Sequence, residues 1–268
     1  MKPPEQSARE IWSLPTRHLG RRVLLYPRLD STNSLALSLG HDPVNHGLVV
    51  LAHEQTAGRG QYGRTWQAPP GSSVLMTVLL FPPPPLRRPA VLTAWAAVAV
   101  SEVILQITGL EAKIKWPNDV YLQGKKVCGI LIEQRNGGGE RTPATAVGIG
   151  LNVRQPASFF EQAGLTLGGS LLSVTGREFD HDEVARQLIH RLDDDYARLA
   201  AGDFGTLEAL WKQRLQLLGR DVTVETGTAR HRGRLLDVTF NAVELDTGEP
   251  QPLRLLPEAV RQIVACDR

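Results

Sequence analysis

Gly58-Arg59-Gly60-Gln61-Tyr62-Gly63 is the stretch on which the fold turns, because it matches the G-x-G-x-x-G spacing of a dinucleotide-binding turn. That fingerprint needs a helix starting at the motif and an acidic residue about twenty positions on to hold a ribose. Pro69, Pro70 and Gly71 rule out a helix directly behind it, and Leu79 to Pro83 contains neither Asp nor Glu. The doubly wound parallel fold is therefore excluded. No Gly-Lys-Ser or Gly-Lys-Thr ending follows, so the segment is not a P-loop either. Three glycines with Arg59 and Arg64 suit a mobile loop, Thr56 to Gly71, that wraps phosphates; taken alone, a surface loop with solvated arginines fits as well.

Working outward, Gly47 to His53 reads as a buried strand leading into this loop, and Ser73 to Phe81 as a strand leaving it, stopped by Pro82 to Pro85. Upstream, Arg22 to Tyr26 reads as a short strand, and Asp30-Ser31-Thr32-Asn33 caps a helix carrying Leu35, Leu37 and Leu39. Downstream, Val91 to Ile107 is a helix apolar on most faces and ending near Gly109, which must lie against a sheet. Lys113 to Trp116, Val127 to Gln134 and Thr145 to Val153 are strand-like, linked by Gln123-Gly124 and Asn136-Gly137-Gly138-Gly139, which implies antiparallel neighbours. Two amphipathic helices follow, from Asp182 to Leu199 and through Leu207, Leu210, Trp211 and Leu215, with Gly202 and Gly219 expected to close them.

After Gly219 the texture changes to Val222 to Glu225, Gly233 to Phe240, Ala242 to Leu245 and Pro252 to Leu256, which reads as an all-β barrel of about 50 residues. The expected organisation is a loose lead-in over residues 1–21, a catalytic domain over 22–217 and a small barrel over 218–268.

Thirty Lys and Arg against twenty-eight Asp and Glu leave the 268-residue chain at +2, too balanced for a dedicated nucleic-acid or membrane-surface binder. Cys128 and Cys266 are too few for a disulfide scaffold or a four-cysteine metal site; free thiols in the cytoplasm are expected. The run Val91 to Val100 ends at Ser101-Glu102, well short of the roughly 20 residues a bilayer requires, so no membrane partner is expected.

Chemistry concentrates in three further places. Lys115-Trp116-Pro117-Asn118-Asp119 sets a cation, a rigid turn and two oxygen-bearing side chains at a strand end, where Asp119 suits Mg²⁺ against phosphates, although Pro-Asn-Asp is equally ordinary turn chemistry. Lys125 and Lys126 open a strand that is otherwise apolar, where an ammonium is costly unless it meets an anion; Lys126 is the candidate. Gly148-Ile149-Gly150-Leu151-Asn152 leaves room for a ligand against the backbone, or marks a bulge with no ligand.

Taken together, Asp30 to Asn33, Glu54 to Gly60, Gly63-Arg64-Thr65-Trp66, Lys115 to Asp119, Lys126 to Leu131 and Gly148 to Asn152 resemble the biotin protein ligase family, in order and in spacing. The resemblance covers about Leu24 to Val264. It implies an α+β fold, with a class II aminoacyl-tRNA synthetase-like catalytic domain of mostly antiparallel sheet and helices, followed by an SH3-like β-barrel. It also implies an activity: biotin is activated by ATP and Mg²⁺ to biotinyl-5′-AMP and passed to a lysine of a biotin carboxyl carrier domain.

By the same resemblance Ser31, Thr32, Asn33 and Gln55 line the biotin pocket, with Gly58, Arg59, Gly60, Gln61, Lys126, Gly148 and Gly150. Arg59, Arg64, Trp66, Asn118 and Asn152 face the nucleotide. Lys126 bridges the biotin carboxylate and the α-phosphate, and Arg59 and Asp119 complete the catalytic set, Asp119 as the metal ligand.

Gln61 departs from the pattern, standing where the family's loop carries a second arginine and leaving that phosphate charge to Arg59 or Arg64. Ala68 stands where a serine is common. Fewer than thirty residues precede Asp30, too few for the helix-turn-helix domain of biotin-responsive repressors, so no DNA partner is expected; a homodimer is compatible with the resemblance. Two other readings stay open: a lipoate or octanoate ligase of the same fold, and a non-catalytic biotin-sensing module.

Overall fold

The computed structural model describes residue 8, residues 10–135 and residues 142–266. The expected Asn136-Gly137-Gly138-Gly139 turn lies outside them.

Eight strands form one mixed sheet: β1 (Glu10–Trp12), β2 (Val23–Tyr26), β3 (Val49–Ala52), β4 (Ser73–Leu80), β5 (Ala112–Lys115), β6 (Asp119–Leu122), β7 (Lys125–Arg135) and β8 (Ala144–Asn152). Their order is β1-β2-β3-β4-β8-β7-β6-β5, and only β2 and β3 run parallel. The parallel pair is possible because α1 (Thr32–Ser38) fills the crossover between them. The β6–β7 hairpin turns through Gln123 and Gly124, both at positive φ (47° and 79°), the two-residue geometry that matches strand twist.

One face of the sheet is closed by α2 (Pro89–Thr108), α5 (His181–Ala200) and α6 (Phe204–Leu215). Pro89 starts α2 and Gly109, at φ 76°, ends it. At 20 residues α2 is long and apolar enough to cross a membrane, longer than the run Val91 to Val100 suggests. Every residue from Val91 to Ser101 is nevertheless buried inside the protein, and Trp95 donates its indole N–H to the Leu192 carbonyl of α5. A helix apolar all round is here a core helix, packed on the sheet below and on helices above.

The lead-in corrects the expectation that it is loose. From Glu10 it pairs with β2 along the register Glu10–Leu25 to Trp12–Val23, and Trp12 and Leu19 are buried. The carboxylate of Asp193, buried on α5, accepts the backbone N–H groups of Arg17, His18 and Leu19, each at 2.7 Å. Removing that acceptor leaves enclosed N–H groups unpaired. Asp193→Ala should therefore cost roughly 3 kcal/mol or more. For a chain of this size that lowers Tm by about 6–12 °C, readable by calorimetry, whereas a change within ~1 °C would mean that water replaces the carboxylate.

Two short helices, α3 (Ala157–Gln162) and α4 (Leu171–Thr175), follow β8. Gly219 does not close α6, contrary to expectation: the chain leaves that helix at Gln216, itself left-handed at φ 53°, and Gly219 (φ 73°) instead turns the chain into β9. Five strands then make a second antiparallel sheet: β9 (Asp221–Thr226), β10 (Arg230–Val238), β11 (Val243–Asp246), β12 (Leu253–Leu255) and β13 (Val260–Ala265), ordered β12-β11-β10-β9-β13. Besides β1, the sequence reading missed β6, β13 and the short helices α3 and α4. The second sheet is fixed to the first unit: Trp116 donates to the Val260 carbonyl at 2.9 Å, its ring packs on Trp211, and Trp211 stacks on Phe240. Arg88–Glu258 and Lys212–Asp237 ion pairs flank this stack.

Candidate active site

The face of the large sheet opposite α2 carries a cavity of about 490 Å³, well within the range of small-molecule sites. Alternation along β8 creates it. Val147, Ile149 and Leu151 point into the core, which leaves Gly148, Gly150 and Asn152 on the other face. Gly150 lies opposite Gly129 of β7 and beside Leu75 of β4, while Gly148 lies between Leu131 and Thr77. Across these glycines the floor is bare backbone, and other groups use the space. The Trp66 indole rests on Gly129 and Gly150, where a Cβ at Gly150 would come within 2.6 Å of the ring; a Cβ at Gly148 would strike the Asn33 amide.

At one end of the cavity α1 delivers a closed polar network. Thr32 donates through both its backbone N–H and its hydroxyl to Gln55 Oε1, at 2.7 and 3.0 Å. Thr77 donates to Asn33 Oδ1, and Asn33 Nδ2 donates to Glu133 at 2.7 Å. Asn33 thus has its polar atoms spent on protein partners and shapes the wall. Ser31, also buried, caps α1 without spending its hydroxyl on the helix, which leaves that group for a ligand.

Arg59 makes a bidentate pair with Glu133, closest at 2.9 Å, and also donates to Ser34. Here it is held at the α1 end, while Arg64 is exposed at the cavity rim. The loop between β3 and β4 is a tight hairpin: Gly60 N–H donates to the Arg64 carbonyl and Trp66 N–H to the Gly58 carbonyl. Gly60 and Gln61 line the cavity. Gly58 does not: it is buried beneath the hairpin, so close to the Trp66 carbonyl that a Cβ would come within 2.6 Å, and its part is to let the loop fold back.

At the other end Lys126 Nζ lies 2.6 Å from Asp119 Oδ1 and 5.8 Å from the centre of the Trp66 ring. Asp119 is the one acidic residue lining the cavity among the described residues. Burial, and after it the Asp119 charge, raises the Tyr121 phenol above its usual range; burial and Asp119 push the Cys128 thiol far up, so that buried Cys128 is an inert neutral thiol. Asn118 donates to the Ile130 carbonyl and holds the β5–β6 corner against β7. Lys115-Trp116-Pro117-Asn118-Asp119 therefore divides: Asn118 and Asp119 face the cavity while Trp116 anchors the C-terminal sheet. Asn152, expected at the nucleotide, lines the cavity but is committed to Gly169, Ser73 and Gln155. The Trp66 Nε1–H is enclosed without an acceptor among the described residues, a donor left for a ligand or water.

One wall was not foreseen. Ala163 to Gly168 runs beside β7, with Lys126 N–H donating to the Leu167 carbonyl at 2.6 Å and Lys125 Nζ to the Thr166 carbonyl. Its hydrogen bonds to β7 run through backbone carbonyls, and it carries no titratable side chain that would mark it in the sequence.

An antiparallel-rich sheet with helices on one face, a cavity on the other and a small sheet behind is the class II aminoacyl-tRNA synthetase-like architecture of acid-activating ligases. Residues 25–152 match the biotin/lipoate A/B protein ligase family. The bifunctional ligase/repressor BirA of Bacillus subtilis is 31% identical over 245 residues, covering 91% of this chain and 75% of that protein. The biotin–[acetyl-CoA-carboxylase] ligase of Paracoccus denitrificans is 37% identical over 209 residues, 77% of this chain and 86% of the relative. Among solved structures, the biotin protein ligase from Aquifex aeolicus in complex with biotin and ATP superposes with a TM-score of 0.75 at 26% identity, over 91% of this chain and 99% of that one. The chain belongs to the biotin protein ligases of this family.

Proposed function

We propose that the chain condenses biotin with ATP to biotinyl-5′-AMP and transfers the biotinyl group to one lysine of a biotin carboxyl carrier domain, in the cytoplasm. The observation that carries this reading is a lysine ammonium at the edge of a floor of backbone glycines, facing an arginine-bearing hairpin.

In the first step a carboxylate oxygen of biotin attacks the α-phosphorus of ATP, the bond to the bridging β-phosphate oxygen breaks, and pyrophosphate leaves. Lys126 would meet both the carboxylate and the α-phosphate, neutralising their repulsion and the charge that builds on the phosphoryl oxygens, a role supported by its position on the cavity wall. In the second step the carrier amine attacks the carbonyl carbon of the mixed anhydride, AMP leaves with the bridging oxygen, and the amine proton passes to solvent. Ser31 and the free amide end of Gln55 supply the donor and acceptor a ureido ring needs, Gly148 and Gly150 let the Asn33 amide and the Trp66 ring settle against the sheet as walls for the ligand, and the Thr56 to Gly71 loop shields the anhydride from water.

The donor set also fits Mg²⁺, which in nucleotide sites is held by one or two carboxylates plus phosphates. Lys126 occupies one oxygen of Asp119 and leaves the other for the ion, whose charge would offset that of the phosphates. Arg64 and Arg59 would take the remaining phosphate charge once Arg59 leaves Glu133.

The test is to incubate the pure chain with ATP, Mg²⁺ and either biotin or lipoate, add a biotin carrier domain and weigh the carrier. A biotinyl mass on the carrier is expected. A lipoyl mass, or bound biotin with no adduct, would overturn the reading in favour of the lipoate ligase or the non-catalytic sensor.

A further inference from the structure

Outside the cavity, three ligating groups converge at the root of the loop. His53 follows β3, immediately before Glu54 and Gln55, and its carbonyl accepts the N–H of Gly71, so it sits where the loop leaves and returns. His181 and Asp182 open α5. His53 Nε2 and His181 Nε2 each lie 3.4 Å from Asp182 Oδ1, and one ligating atom from each of the three side chains lies within 4.8 Å of the others.

These contacts are too long to be good hydrogen bonds, and they leave polar atoms stranded. His53 Nε2 and both ring nitrogens of His181 are enclosed with no hydrogen-bond partner among the described residues. A separation of 3.4 Å is instead the edge of a tetrahedron around an ion with ligands at about 2.0–2.1 Å, the zinc–nitrogen and zinc–carboxylate distance. The nearby charges also suit a cation. Asp180 spends its carboxylate on the N–H groups of Asp182 and Glu183, and the fixed charges that act on His181, Asp180 and Asp182 against Arg154, leave one negative charge unbalanced.

We propose that His53, His181 and Asp182 form a site for a tetrahedral divalent transition-metal ion, with zinc as the best chemical match, the fourth position being open to water. Two imidazoles and one carboxylate are a borderline-soft set that selects such ions over Mg²⁺. The ion clamps the end of β3 to the start of α5 and so fixes the hinge of the loop that covers the active site. It is separate from Asp119, which lines the cavity while none of the three does.

The experiment strips the full-length protein with a chelator, then titrates it with Co²⁺ as a spectroscopic probe and with Zn²⁺ against a chromophoric chelator. One equivalent bound, intense tetrahedral cobalt absorption and a Tm raised by several degrees on adding Zn²⁺ are expected. His181→Gln and Asp182→Asn should each weaken Zn²⁺ binding by about tenfold or more. Asp119→Asn should leave it unchanged. A weak octahedral cobalt spectrum from the unaltered protein would overturn the proposal without recourse to any variant, as would folded His181→Gln protein that binds Zn²⁺ as tightly as the parent.

Discussion

Lys126→Ala should lower the rate of biotinyl-adenylate formation about 10²- to 10³-fold, the loss that follows removal of one preorganised charge-stabilising group. Lys126 is well placed for such an effect. Its ammonium is partly enclosed, fixed by Asp119 at 2.6 Å, and its backbone is pinned on both sides by the Leu167 carbonyl and the Gly169 N–H. Little reorganisation is then needed when two anions approach. Alanine also strips Asp119 of its partner and leaves a bare carboxylate facing incoming phosphate, so part of the defect is repulsion. Lys126→Ala with Asp119→Asn should separate the two contributions at high Mg²⁺: if repulsion contributes, the double variant loses less than the sum of the singles. Pyrophosphate release in a single turnover measures the step directly. A near-normal rate would remove Lys126 from the chemistry, whereas an unchanged Tm is expected because the side chain stands on a cavity wall and supports no core.

That a lysine at the head of an apolar strand is conspicuous explains why this part of the site can be read without coordinates. Ammonium groups are costly beside valine and isoleucine, and bare glycine alternating with Ile149 and Leu151 is equally unusual. The α2 core helix and the strands β3, β4, β7 and β8 are legible for the same reason: their apolar runs are long and bounded by proline or glycine. What the sequence hides is made by backbone or by distant pairing. β6 is four residues wedged between the turn that ends at Asp119 and the Gln123-Gly124 turn, and its alternation is too short to separate from them. Glu133 meets Asn33 and Arg59 only because the β7–β8 register brings Leu131 opposite Gly148. The wall from Ala163 to Gly168 is tied to β7 through carbonyls, which every residue possesses. Asp193 holds the N-terminal segment through the N–H groups of Arg17, His18 and Leu19, a contact with no side-chain signature at the receiving end.

Gly150→Val should cost about 10²-fold in biotin affinity while leaving the fold intact. The added Cβ would stand 2.6 Å from the Trp66 ring, and the branching methyls would rise from the centre of the cavity floor. Neither the β8 backbone nor the facing Gly129 can yield, since both are held in the sheet between β4 and β6. The hairpin carrying Trp66 must therefore lift, and the ligand loses the ring that walls it. Overpacking of this kind costs roughly 1–3 kcal/mol, here charged to binding because the displaced group sits on a loop and not in the core. Fluorescence offers a direct reading. Of the five tryptophans, Trp12, Trp95, Trp116 and Trp211 are buried and only Trp66 is half-exposed on a movable segment, so a biotin-dependent change in emission should come from Trp66 and disappear in Gly150→Val. Calorimetric titration checks the affinity independently. If Gly150→Val binds biotin as tightly as the parent, the glycine floor is not where the vitamin lies, and the cavity would have to receive it against the Ala163 to Gly168 wall instead.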